Sequence, residues 1–328
     1  MSKIDKDHFR GCLLGGGTGD ARGYREREDG KDLISDNTQM SIFTADGLLW
    51  ADARAKRKGI YAYTPCLFYS YEKWYYTQTG NLADKDYAFI LDDDILKRDE
   101  LFARRGEGTT SLNALGASIK NGYGTLDRRT NNMNTCGCVM RVAPVGLYFA
   151  HDEAMAFRIG CESGALTHGH EDAVLSTGFT ALLICLLAQG ATLRDAVEAA
   201  LAQVAEHEDG KNVIDAVRLG MSLAEKSLAP RDAIETIGEG YTATEAVAIA
   251  VYLSLVYGGD FVGAIEAAAD FDGNSDTIPP LCGNIIGTLI GSLEIPPKWI
   301  LDLELADLVI DSADRLLVCA KERAENGV

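Results

Sequence analysis

Basic residues are scarce in this chain. Its 31 lysines and arginines face 49 aspartates and glutamates, for a formal net charge of −18 over 328 residues. That excludes a general coat for DNA or RNA, whose affinity comes largely from cations on phosphates, and it favours solubility. Uninterrupted apolar runs are also missing. No segment approaches the ~20 residues of a membrane span, and "ALLICLLAQGA" is short enough to read as a buried helix. The opening "MSKIDKDHFRGCLLGGGTGD" has no apolar stretch of signal length. The 8 cysteines are scattered, most within apolar runs, where a free cysteine behaves as a small buried hydrophobe. With no signal segment, the reducing cytosol is the expected compartment. The glycine-rich "GGGTGD" lacks the lysine of a Walker loop, and "HFRGCLL" does not read as the strand that precedes a Rossmann fingerprint. His168 and His170 have no cysteine or acid at zinc-ligand spacing. Prolines number 7, and period-two alternation is hard to find.

Helical periodicity fills the space these absences leave. "MSIFTADGLLWADARAKRKG" places Met40, Ile42, Phe43, Leu48 and Leu49 on one face. "DAVLSTGFTALLICLLAQG" is apolar nearly all round, as a central helix should be. "TLRDAVEAALAQVAEH" is amphipathic behind an N-cap at Thr192, and "TATEAVAIAVYLSLVYGG" opens with a capping box from Thr242 to Glu245. Gly11, Gly15 and Gly19 recur every four residues, which suits close packing of one helix on another. Asp20 follows them and either faces a site or caps a neighbour. The pattern predicts an all-α fold in a single domain, residues 1–328. Residues 60–110 and 121–135 resist the pattern; they read as surface segments around a site, or as short helices with long loops.

Two hexads stand out: "SDNTQM" at 35–40 and "DGNSDT" at 272–277, each directly before an apolar stretch. Carboxylate, amide and hydroxyl oxygens are the donors that hard cations prefer. Each hexad alone reads as a helix cap, since Ser, Asp, Asn and Thr are the favoured capping residues; capping does not explain why the two are so alike. Arg141, in "CGCVMRVAP", sits in an apolar setting and requires a partner, either a carboxylate of the protein or an anion of a ligand. "RRGEGTT", 104–110, offers backbone amides and hydroxyls to a phosphate or sugar, or is an ordinary loop. Cys136 and Cys138 are one residue apart, too close for the usual redox or metal pair, and read as packing.

In order along the chain, "GCLLGGGTGD", "SDNTQM", "RRGEGTTSLNAL", "CGCVMRVAPVGL", "LTHGHEDA", "GEGYTATEAVAIAVY" and "GNSDTIPPLCGNIIG" resemble the ADP-ribosylglycohydrolase family. The resemblance implies a compact multi-helix fold around two adjacent divalent ions, Mg²⁺ or Mn²⁺. The implied ligands are Ser35, Asp36 and Asn37 from the first hexad and Asn274, Asp276 and Thr277 from the second. Asn37 and Asn274 stand where the commoner family form has Asp. Each change removes a negative charge, so weaker metal binding is expected, at both positions of the two-ion site or at only one of them. The implied activity is hydrolysis of ADP-ribose from modified protein side chains, arginine foremost, with ADP-ribose as product and neither membrane nor general nucleic acid as partner. Asp36 is the expected base, with Glu26 and Glu28 as lesser alternatives. The resemblance also implies that diphosphate rests on the turn of Gly106, Gly108, Thr109, Thr110 and Ser111, near Arg141, with His168 on the adenosine-ribose side. Two other readings stay open: a weak or inactive protein that binds ADP-ribose or a toxin, and a hydrolase of another ADP-ribose linkage.

Overall fold

Glycine makes the first packing decision. In the computed structural model, which describes residues 4–106, 108–226 and 228–326, helix α1 (Lys6–Tyr24) runs antiparallel against α14 (Ile278–Ile290) with backbone on backbone. A Cβ on Gly15 would lie 2.2 Å from the Gly283 carbonyl oxygen, and one on Gly283 would lie 2.0 Å from that of Gly15. Gly11 meets Gly287 in the same way. The four-residue spacing read from the sequence is therefore a helix–helix contact, and its antiparallel sense brings Asp20 to the end of the helix that begins just after the second hexad.

Between these two helices run a hairpin of β1 (Arg27–Glu28) and β2 (Lys31–Asp32), then α2 (Asp36–Lys58), α3 (Tyr63–Thr79), a 3₁₀-rich segment over 85–102, α4 (Thr109–Gly116), α5 (Ser118–Asn121), α6 (Ala143–Tyr148) and α7 (Glu153–Ala165). They are followed by α8 (Glu171–Gln189), α9 (Leu193–Val204), α10 (Lys211–Ala224), α11 (Pro230–Ile237), α12 (Ala243–Tyr257) and α13 (Phe261–Ala269). After α14 come α15 (Pro297–Asp302) and α16 (Ala306–Asn326). The fold is all-α apart from the hairpin among the described residues. Helix α8 is buried along its whole middle, from Ala173 to Ala188. It is long and apolar enough to cross a membrane, yet 89% of that stretch lies inside the protein, where it forms the central helix. The caps expected at Thr192 and at Thr242 with Glu245 are both made.

The two resistant regions resolve differently. The first is half helix: α3 buries Leu67, Phe68, Tyr71 and Trp74. Lys73 on α3 is also buried, and its ammonium sits 2.7 Å from Asp46 and 2.5 Å from Asp93, which ties the 3₁₀ segment to α2 and α3. The second stays irregular, and its end docks on the start of α12 through Cys136 N to Tyr241 O, 3.0 Å, and Ala243 N to Asn134 O, 2.9 Å.

Candidate active site

The site begins with Asp20. At the end of α1 this carboxylate is fully buried, so its charge needs partners. It accepts hydrogen bonds from Ser35 N (2.9 Å) and Oγ (2.5 Å), Thr38 N (3.2 Å) and Oγ1 (2.6 Å), and Asn37 Nδ2 (3.1 Å). Burial raises its pKa while these donors oppose the rise. Of the two roles open to Asp20 from sequence, it takes the cap: it fastens the first turn of α2 to α1.

That turn aims Asp36 and Asn37. Asp36 N donates to Arg105 O at 3.0 Å, and its carboxylate lies against the 104–110 turn. A Cβ on Gly106 would fall 2.2 Å from Asp36 Oδ1; one on Gly108 would fall 3.0 Å from Oδ2 and 2.8 Å from the Trp74 ring. Both glycines have positive φ, 76° and 49°, a conformation that favours glycine. The glycines of "RRGEGTT" thus make room for Asp36. Glu107, inside this turn, lies outside the described residues. Arg105 holds the turn down by pairing with Glu304, Nη2 to Oε1 3.0 Å.

The second hexad meets the first directly. Asn37 Nδ2 donates to the Asp276 carbonyl at 3.1 Å, as well as to Asp20. Asp36, Asn37, Asp276 and Thr277 line one cavity of about 200 Å³. The 106–111 turn, through Gly106, Gly108, Thr109, Thr110 and Ser111, forms a second side, and His168 and Thr135 a third. Asp36 is pushed up to about 7, first by burial and then by the neighbouring charges of Asp20 and Asp276; only the Arg141 charge and a backbone hydrogen bond oppose the shift.

Three residues expected in the site do not line it. Ser35 is buried and its hydroxyl is committed to Asp20. Asn274 is buried and spends its Nδ2 on Gly240 O and Cys136 Sγ, both at 2.9 Å. Arg141 lies under the wall, fully buried. Its expected partner, a carboxylate or a ligand anion, is replaced by Ser111 Oγ (3.2 Å), Thr167 Oγ1 (2.7 Å), Ser163 O (3.3 Å) and Met40 Sδ (3.2 Å), with the Tyr71 ring 4.3 Å from the guanidinium carbon. No carboxylate forms an ion pair with it among the described residues. The physical reason is cover: hydroxyls and a ring occupy the space through which an anion would reach it. Glu26 and Glu28 are exposed on the hairpin and do not line the cavity.

His168 is fully buried with one ring edge at the cavity wall. Its Nδ1 lies 2.8 Å from Thr167 Oγ1 and its Nε2 3.0 Å from Thr135 Oγ1. Burial and the Arg141 charge lower its pKa to about 3, so the ring is neutral. Sequence reasoning passed over Thr135 and assigned Cys136 to packing alone. Cys136 lines the cavity with its thiol raised to about 12 by burial, and is therefore protonated. The one available signal was position, since Cys136 opens the "CGC" motif and Thr135 directly precedes it.

The sequence pattern of the ADP-ribosylglycohydrolase family matches residues 1–326. The chain is similar to ADP-ribosylarginine hydrolase Tri1 of Pseudomonas putida (strain GB-1), 23% identical over 313 residues, which covers 90% of this chain and 73% of that protein. It is also similar to an uncharacterized protein of Archaeoglobus fulgidus, 25% identical over 183 residues; that match spans 56% of this chain and only 58% of the relative. A solved structure described as an ADP-ribosylglycohydrolase-related protein complex shares the fold, with a TM-score of 0.66 and 20% identity over 96% of this chain and 98% of that one.

Proposed function

The chain belongs to the ADP-ribosylglycohydrolase family, and on that premise we propose that it is a divalent-metal-dependent hydrolase that removes ADP-ribose from modified protein side chains, arginine foremost. The observation that carries this reading is the meeting of Asp36 and Asp276, distant in sequence, on one cavity with an amide bridge between their hexads. The arginine linkage draws support from the name of the Pseudomonas relative.

The reaction breaks the bond between the distal ribose C1″ and a guanidino nitrogen. Water oxygen bonds to C1″, one water proton is taken up, and the leaving guanidine gains a proton. Asp36 is the base in this reading. Burial among like charges holds Asp36 up to about 7 in the cation-free site, and a cation beside it would lower that value and keep it in the ionised form a base requires. The 106–111 turn would receive the diphosphate through its amides and hydroxyls. Arg141 is a positioning residue here, since it holds Ser111 and Thr167 from below.

The donor set suits one hard cation. Asp36 and Asp276 supply carboxylates, Asn37 an amide oxygen, since its nitrogen is already committed, and Thr277 a hydroxyl. Three acidic groups, Asp20, Asp36 and Asp276, crowd together with Arg141 as the opposing charge that Asp36 feels, an excess that a cation would relieve. Such an ion would supply Lewis acidity to a ligand hydroxyl or to water. A second ion finds less, since Ser35 and Asn274 are committed elsewhere; and because no three His, Cys, Asp or Glu are placed to ligate one ion among the described residues, even the first leans on the neutral oxygens of Asn37 and Thr277.

One feature favours a second reading, a binder of ADP-ribosylated partners with little turnover. Asn37 and Asn274 both act as hydrogen-bond donors where acidic ligands would stand. A titration of Mg²⁺ or Mn²⁺ with an ADP-ribosyl-arginine peptide decides between them. Release of ADP-ribose is expected; no release at any metal concentration overturns the hydrolase. An Asp36→Ala variant that still captures the peptide, from a wild type that does not turn it over, identifies the binder.

A further inference from the structure

We infer that Gly23 is a positioning residue: the side chain it lacks lets Asp276 come close enough to the first hexad for Asn37 to bridge them, so the last turn of α1 sets the spacing across the cavity. The inference deepens the reading of this cavity as a cation site, and rests on that reading for only one of its two tests.

Gly23 lies inside α1, where alanine is the better helix former. Space gives the reason for glycine. A Cβ there would lie 2.8 Å from Ser275 O, 3.0 Å from Asp276 Cα and 3.2 Å from Asp276 O. All three are backbone atoms, which do not turn away as the end of a flexible side chain does. The contact continues the packing of α1 on α14. Gly11 faces Gly287, Gly15 faces Gly283, Gly19 faces Pro279, and Gly23 faces Ser275 and Asp276. Helix α14 begins only at Ile278, so the fourth step runs past its start and into the second hexad. The register that packs two helices thus places a loop.

Asp20, three residues before Gly23, holds the first hexad through Ser35, Asn37 and Thr38. Asn37 Nδ2 links the two halves. It donates to Asp20 Oδ1 at 3.1 Å and to the Asp276 carbonyl at 3.1 Å, the same carbonyl that faces Gly23. Helix α1 is the fixed wall in this arrangement, pinned by the backbone contacts of Gly15 and Gly19 and by the hydrogen bonds of Asp20. The irregular loop before α14 is the part that yields. A methyl on residue 23 drives Asp276 off α1 while Asp20 keeps Asn37 on it, so the bridge opens and the Asp276 carboxylate moves relative to Asp36.

The test is Gly23→Ala in the full chain. Nitrogen-15 labelling of asparagine reports the side-chain amides, with the Asn37 signal identified by its loss in Asn37→Asp. In Gly23→Ala the Asn37 amide should shift and exchange its protons with solvent faster, because one of its two acceptors has moved away. Asn284 is the reference: its buried Nδ2 donates to Cys12 O at 2.8 Å, between α1 and α14, and its signal should stay in place. The second readout is Mn²⁺ affinity, from the paramagnetic resonance of free Mn²⁺ at a salt concentration that screens the acidic surface. Loss of the groups that support a metal ligand costs about 10–100-fold in affinity, so Gly23→Ala should bind Mn²⁺ at least about 10-fold more weakly than wild type. An Asn37 signal that does not move overturns the inference. So does an Asn284 signal that moves along with it, which would make Gly23 part of general helix packing, and so does a variant that fails to fold. Equal Mn²⁺ affinity in the variant and in a wild type that binds the ion overturns it too. A wild type with no saturable Mn²⁺ site removes the cation from the proposed hydrolase, and the asparagine signals then decide on Gly23 alone.

Discussion

Asp36 is held where its charge is least welcome, and both of its predicted behaviours follow. As the base it must be ionised: without a cation, that requires pH above about 7, and a bound cation should carry the rise of kcat/KM with pH to lower values. Asp36→Ala should lower turnover by about 100-fold or more while ADP-ribose affinity changes little; a drop in affinity equal to the drop in rate would make Asp36 a binding residue only. Glu72 shows the same physics without the chemistry. Its side chain on α3 is fully buried, Oε1 accepts from Ser118 at 3.2 Å, and Oε2 has no partner. Burial, aided by the charge of Asp84 and opposed by the Ser118 hydrogen bond, pushes it up to about 8. The folded state thus keeps a proton that the unfolded chain releases near the ordinary value of 4.5. Stability is greatest below that value and falls as pH rises toward 8, by up to about 5 kcal/mol from this residue. Glu72→Gln should flatten the decline seen in denaturant melts between pH 5 and 8, and an unchanged slope would place the proton elsewhere. Legibility at this scale tracked side-chain type. The hexads could be read because Ser, Asp, Asn and Thr cluster visibly in sequence. Glu72 could not, since a glutamate among tyrosines carries no sign of burial, and Arg141 could be read as needing partners but not as finding hydroxyls.

At the scale of elements, the site depends on a contact between the two ends of the chain. Gly11, Gly15 and Gly19 could be read as a packing stripe from their spacing, and so they prove. Their partner helix, more than 250 residues away, left no mark in that spacing; only the matching Gly283 and Gly287 on α14 complete it. Gly15→Ala tests the contact. Its new Cβ would lie 2.2 Å from a carbonyl oxygen, a backbone atom that cannot swing aside, so a loss of about 3 kcal/mol or more in unfolding free energy is expected. The same displacement would draw Asp20 away from Ser35 and Thr38, so ADP-ribose affinity should fall at temperatures where the variant is still folded. Full stability in Gly15→Ala would mean the helices sit farther apart than described. The 85–102 segment could not be read for a related reason: it is held by Lys73 against Asp46 and Asp93, a pairing between elements that local periodicity does not encode.

For the molecule as a whole, fold class was legible because helical periodicity and the scarcity of alternation say the same thing along most of the chain. The closing of the two hexads on one cavity was not legible from physics. It came from family resemblance, and what the structure adds is the amide of Asn37 bridging Asp20 and Asp276. Charge is the property that acts at this scale. The chain carries −18, and Asp20, Asp36 and Asp276 concentrate part of that excess at the cavity, where Asp36 feels both neighbours. A cation bound only by the folded state stabilises it by mass action, about 2.7 kcal/mol at 100 times its Kd, which for a chain of this length raises Tm by about 4 °C. Mg²⁺ or Mn²⁺ should therefore raise the melting temperature at pH 7.5, and chelation should reverse the rise. Diffuse attraction to an acidic surface would do something similar, so the decisive sample is the Asp36→Asn, Asp276→Asn double variant. With the local repulsion removed it should melt higher than wild type without any cation and respond little to one. A double variant that gains as much from Mn²⁺ as wild type does would move the ion out of the cavity, and with it the Lewis acid that the proposed hydrolysis uses.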